Sequence, residues 1–91
     1  MQISTKSRYG IRALYEIAKQ TGSSPIKRKT ISELQNIPDS YLENILVVMK
    51  NAGIIRTIRG ARGGYVLIRK PEKVSMLDVV ELLEGKQSQF A

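Results

Sequence analysis

Between Ile31 and Leu67 the hydrophobic pattern changes twice with no linker between the parts. Ile31, Leu34 and Ile37 recur at helical spacing, Pro38 interrupts them, a second helical wheel runs to Ala52, and β-branched residues then flank a glycine-rich turn. Helix, tight turn, helix and β-hairpin in that order, the hairpin tipped by Arg59-Gly60-Ala61-Arg62-Gly63-Gly64, spell a winged helix-turn-helix. The expected fold class is therefore mainly α with a small β-hairpin, and double-stranded DNA is the leading partner.

Charge points the same way. The 91 residues carry a formal net charge of +7, which is common enough among soluble domains that its distribution matters more than its size. Lys6, Arg8, Arg12, Lys19, Lys27, Arg28 and Lys29 face only one acid, Glu16, in the stretch from Lys6 to Lys29, and Arg56 to Lys70 holds five bases and no acid. From Pro71 to Ala91 the balance reverses to four acids and two bases. A basic front of this kind can release counterions from one face of a duplex, which makes affinity steeply salt-dependent.

No apolar run approaches the roughly 18 residues needed to cross a bilayer, and no signal-like apolar segment opens the chain, so a cytoplasmic protein with no membrane partner is expected. Cysteine and histidine are both absent. That removes the usual zinc and iron-sulfur ligands and any Cys or His nucleophilic chemistry from these residues, and no cofactor is expected on them.

Ser4 or Thr5 is placed to cap a first helix that runs to about Gln20 and stops at Gly22 and Pro25. Ile11, Leu14, Tyr15, Ile17 and Ala18 share a broad inward face on its wheel, with Arg8, Arg12, Glu16 and Lys19 opposite. The polar side reads either as a solvated face or as phosphate contact from Lys6, Ser7 and Arg8. In the following loop Ile26 alone could reach the core. Thr30-Ile31-Ser32-Glu33 has capping-box spacing for the second helix, which Pro38 ends, and Asp39 or Ser40 caps the third, Ser40 with Glu43 repeating that spacing.

Tyr41, Leu42, Ile45, Leu46, Val48, Met49 and Ala52 cover one face of the third helix, leaving Ser40, Glu43, Asn44, Val47, Lys50 and Asn51 on the other. The second set suits a major groove. Asn44 can bond adenine at two points, Glu43 can accept from the cytosine amino group, Ser40 serves either base, and Val47 can pack on a thymine methyl. A wet helix back, with Glu43 a mere cap, is the alternative. Val47 weighs against it, since an isolated apolar side chain there has little folding reason.

Gly53 is placed to stop this helix in the left-handed region, after which Ile54 to Arg59 and Tyr65 to Ile68 read as strands. Glycines 60, 63 and 64 permit positive φ and close approach of the backbone to another surface. Arg59 and Arg62, the charges of the tip, can enter a narrow minor groove or hold phosphate. Lys70-Pro71 ends the hairpin. Ser75 to Asp78 opens a last helix that stops before Gly85, and its apolar positions wrap more than one face, reading as a partner surface or as a fully buried core helix. Residues 1–85 thus form one DNA-binding domain and residues 86–91 a frayed tail.

The stretches STKSRYGIRALYEIA, ISELQNIPDSYLENIL and IIRTIRGARGGYVLIRKPEKVSMLDVVELLEG resemble the Rrf2 family of bacterial transcription regulators, over nearly the whole chain. The resemblance implies a homodimeric repressor on a roughly palindromic operator. It places Ser40, Tyr41, Glu43 and Asn44 in the major groove, Arg59 and Gly60 in the minor groove, and the first helix with the Thr30 region on phosphates. Many members of the family bind an iron-sulfur cluster through a cysteine triplet beyond the winged domain and dimerise through a long C-terminal helix. Neither is found in these 91 residues, which read either as a short cluster-free form or as the DNA-binding part of a longer protein.

Two other classes of function compete. A winged fold can grip another protein with its third helix or wing, making it an interaction module. An enzyme is the weakest reading: Asp39, Glu43, Asp78, Glu81 and Glu84 do not group on one expected face near the basic tip, so a metal-dependent nuclease lacks its carboxylates.

Overall fold

The backbone before the first helix is extended at Ser4, whose side chain accepts the Ser7 N–H at 3.2 Å and so caps α1 (Thr5–Lys19). In the computed structural model, which describes residues 3–20, 24–68 and 73–85, five further elements follow: α2 (Arg28–Gln35), α3 (Asp39–Asn51), β1 (Ile55–Ile58), β2 (Gly64–Leu67) and α4 (Met76–Leu83). Gly22, Lys70 and Pro71, assigned above to chain breaks, and the tail 86–91 lie outside the described residues.

Three start signals are corrected. Thr30 is not the cap of α2: the helix begins three residues earlier than that cap would place it, with Lys27 as an extended N-cap and no side-chain capping bond. The cause is non-local. Ile26 exchanges both backbone hydrogen bonds with Tyr65, at 3.1 and 2.8 Å, which holds the chain extended up to Lys27 and frees it to coil immediately afterwards. Nor do Asp39 or Ser40 cap α3, because Pro38 occupies that position with φ −54° and ψ 132°. The turn between the two helices is made by Asn36, in the left-handed region at φ 52°, with Ile37 and Pro38.

Other signals are met as read. Gly53, at φ 78°, ends α3 in a Schellman motif: its N–H bonds the Lys50 carbonyl at 3.0 Å while the Ile54 N–H bonds that of Met49 at 3.1 Å. Ser75 caps α4 by accepting from the Asp78 N–H at 3.3 Å. The strands are antiparallel, with Ile55 opposite Leu67 and Ile58 opposite Gly64.

The core lies where α1, α3 and α4 meet, over β1. Ala13, Ile31, Leu42, Ile45, Leu46, Met49, Ile55 and Val79 are wholly buried in it. Ile26 reaches it as expected. The inward face of α1 differs from its wheel. Glu16 is buried and not outward, its carboxylate taking a hydrogen bond from Gln35 and an ion pair from Lys19 at 3.1 Å. Tyr15 is exposed instead, under the Lys19 ammonium at 4.9 Å.

The last helix is only partly a core helix. Val79, Val80 and Leu83 are buried, whereas Met76 and Leu77 stand about half exposed at 49% and 52%. Met76 lines an apolar groove of about 260 Å³ with Ile11, Leu14, Tyr15, Ala18, Leu67 and Val74. No helix among the described residues is long and apolar enough to cross a membrane.

Candidate nucleic-acid interface

Burial decides which way α3 turns. Leu42, Ile45, Leu46 and Met49 have no exposed surface, so the helix cannot rotate about its axis without tearing apolar area out of the core. Ser40, Glu43, Asn44, Val47, Lys50 and Asn51 are in consequence all exposed along one strip. Val47 is 49% exposed with no core to join.

The N-terminal end of the strip meets the start of α1. Lys6, Pro38, Ser40, Tyr41 and Asn44 line an open depression of about 420 Å³, which sets the Lys6 ammonium beside the polar residues of α3. Tyr41, placed above on the apolar face, sits at its margin: it is exposed, and its ring meets the edge of Tyr9 at 5.4 Å between centroids and 87° between planes. Arg8 is exposed close by in sequence. Ser7 is not available. It is fully buried and its hydroxyl is held by Glu84, so its place among the phosphate contacts is withdrawn.

A second depression, also about 420 Å³, is lined by Gln20, Pro25, Ile26, Lys27, Thr30, Leu34, Arg62 and Gly63. It brings Arg62 of the hairpin tip beside Thr30 of the second helix and Lys27, which precedes it. Arg59 and Gly60 are exposed at the tip itself, where Gly60 adopts φ 114° and its carbonyl accepts from the Gly63 N–H at 3.0 Å. The other tip glycines serve the fold rather than an outside surface. A Cβ on Gly63 would lie 1.9 Å from the Ile58 carbonyl oxygen, and one on Gly64 would lie 2.5 Å from that of Ile26.

One site residue escaped the sequence reading. Arg28, at the first position of α2, donates from Nε to Asp39 Oδ1 at 3.0 Å and from Nη1 to Glu43 Oε2 at 2.9 Å. The hydrogen bond to Asp39 raises its pKa above the ordinary arginine value; burial opposes it, and the charges of Asp39 and Glu43 add lesser upward contributions. Glu43 is thus tied across to α2 and is not the cap partner of Ser40. By contrast Lys6, Arg8, Lys50, Arg59 and Arg62 form no ion pair among the described residues, which leaves five cations around the α3 strip and the wing free for an external anion.

The profile of the Rrf2 family, described as iron-dependent transcriptional regulators, matches residues 3–91. The chain is 42% identical over 85 residues to the HTH-type transcriptional regulator CymR of Bacillus subtilis, covering 93% of this chain and 62% of that protein. The solved structure of CymR, the global cysteine regulator of B. subtilis, superposes with a TM-score of 0.88 at 41% identity, over 93% of this chain and 66% of that one. The solved structure of IscR from T. potens superposes with a TM-score of 0.87 at 37% identity, over 94% of this chain and 63% of that one. The chain therefore spans about three fifths of the length of the curated regulator it matches.

The iron in the family's description finds no ligand set here. The sequence has no cysteine or histidine, and among the described residues no three acidic side chains are grouped so as to hold a metal ion. With four helices and a two-stranded wing among its described residues, and this match along nearly its whole length, the chain belongs to the Rrf2 family, whose members are transcriptional regulators and not enzymes.

Proposed function

We propose that these residues bind double-stranded DNA sequence-specifically, as a transcription repressor that works as a homodimer on an inverted-repeat operator in the cytoplasm. The observation that carries the reading is the exposed strip Ser40, Glu43, Asn44, Val47 and Lys50 on a helix whose other face is locked in the core. In a major groove Asn44 would take adenine at two points, Glu43 cytosine, and Val47 a thymine methyl, with Ser40 and Tyr41 at the entry. Lys6, Arg8, Thr30 and Lys50 would hold phosphates on either side, and Arg59 with Gly60 would enter the minor groove, with Arg62 on the flanking backbone.

Repression is preferred to activation because occupying an operator is enough to exclude other proteins from it, whereas activation needs a further contact. A dimer is preferred because two copies of one recognition helix about one turn of DNA apart read an inverted repeat, each adding its base contacts. The half-exposed Met76 and Leu77, beside the apolar groove against α1, supply surface for the second copy.

Selection from a random double-stranded pool at physiological salt, where phosphate contacts alone bind weakly, tests the reading. Recovery of an inverted repeat supports sequence reading and the dimer together. Recovery without any motif would remove sequence reading and put a protein-interaction module in its place.

A further inference from the structure

We propose that Arg28 is a positioning residue for base recognition, acting through Glu43; the inference rests on the DNA-reading function above. Asp39 and Glu43 stand four residues apart on α3, on one face and one turn from each other. Two carboxylates so placed repel each other and would repel the phosphates that flank a groove. Arg28 reaches them from another helix and gives a separate nitrogen to each, at 3.0 and 2.9 Å.

This arrangement does two things for recognition. It sets one positive charge between two negative ones at the end of the helix that must approach a polyanion. It also commits Glu43 Oε2 to Arg28, restricting the rotamers of the carboxylate and leaving Oε1 as the acceptor for a base amino group. A planar guanidinium does both with donors held at a fixed spacing, whereas the donors of a lysine ammonium rotate and would hold Glu43 less firmly. The three side chains are 37%, 55% and 60% exposed, so solvent screening keeps the effect moderate.

The test measures binding of the wild type, Arg28→Gln, Arg28→Lys, Glu43→Gln and the Arg28→Gln/Glu43→Gln double variant to duplexes changed singly at each operator position. Arg28→Gln should weaken binding on the order of fivefold and flatten the preference at the one base pair that Glu43 reads, with other positions unchanged. In the Glu43→Gln background the same change should alter no preference and cost less affinity. Arg28→Lys should keep most of the affinity and lose part of the preference, which keeps the test informative if Arg28→Gln fails to fold.

An equal loss in both backgrounds with every preference intact, and a log-salt slope smaller by about 1, would make Arg28 a direct phosphate contact and overturn the proposal. So would an Arg28→Lys variant with the wild-type preference. A wild type without preference at any position would sink the DNA-reading function itself, and this role with it.

Discussion

Ser7 donates its hydroxyl to Glu84, 77 residues further along the chain, and so fastens the first turn of α1 to the end of α4. Ser4 adds its N–H at 3.0 Å and its hydroxyl at 2.6 Å to the same carboxylate oxygen. Ser7→Ala should therefore act on stability and not on phosphate binding. A loss of about 1.5–3 kcal/mol is expected for a hydrogen bond to a charged group, with a fall in melting temperature on the order of 5–25 °C. Thermal unfolding beside a salt titration of DNA affinity decides it, the log-salt slope staying at its wild-type value.

The same two helices are packed without spare room at Gly10. A Cβ there would stand 2.1 Å from Leu83 Cδ1 and 3.5 Å from Ile45 Cγ2. Gly10→Val should force α4 away from α1 and cost about 1–3 kcal/mol, as other overpacked cores do. Denaturant unfolding would show the midpoint fall, and a midpoint at or above wild type would mean that Leu83 simply rotates out of the way.

Arg59 and Arg62, exposed on the wing and in no ion pair among the described residues, should each contribute to the salt dependence of DNA binding. Replacing both by alanine is expected to weaken affinity and reduce the magnitude of the log-salt slope by about 2, each phosphate no longer neutralised accounting for about 0.9. Fluorescence anisotropy over a range of salt concentrations measures it. An unchanged slope would place the wing away from the duplex.

Asn44 and Val47 should act on specificity rather than on overall affinity. Asn44→Ala is expected to cost about 1–3 kcal/mol on the preferred operator and little on a duplex with its adenine replaced. Uracil in place of the thymine facing Val47 should weaken wild-type binding, and the loss should vanish in Val47→Ser. Equal binding of both duplexes by wild type would remove the methyl contact.

The parts of this protein that were legible in its sequence depend on neighbours in the chain. The wheel of α3 is one: Leu42, Ile45, Leu46 and Met49 are apolar at helical spacing, and burying them is enough to turn Asn44 and Val47 outward. The Gly53 stop and the Ser75 cap are others, since each closes its hydrogen bonds within a few residues. The wing followed from two β-branched runs around a glycine-rich turn.

What only the tertiary structure decided depends on partners far away along the chain. Glu16 is polar and lies among outward residues on its wheel, yet it is buried with a hydrogen bond from Gln35 to one carboxylate oxygen and the Lys19 ammonium at 3.1 Å from the other, which offset the lost water. Ser7 leaves the phosphate-binding set because Glu84 takes its hydroxyl. The cap of α2 moves from Thr30 to Lys27 because Ile26 pairs with Tyr65. Arg28 joins the site only because folding carries Asp39 and Glu43 to its guanidinium. A hydrophobic period is a local property and survives being read one residue after another. A polar group is settled by whichever partner replaces its water, and chain proximity does not name that partner.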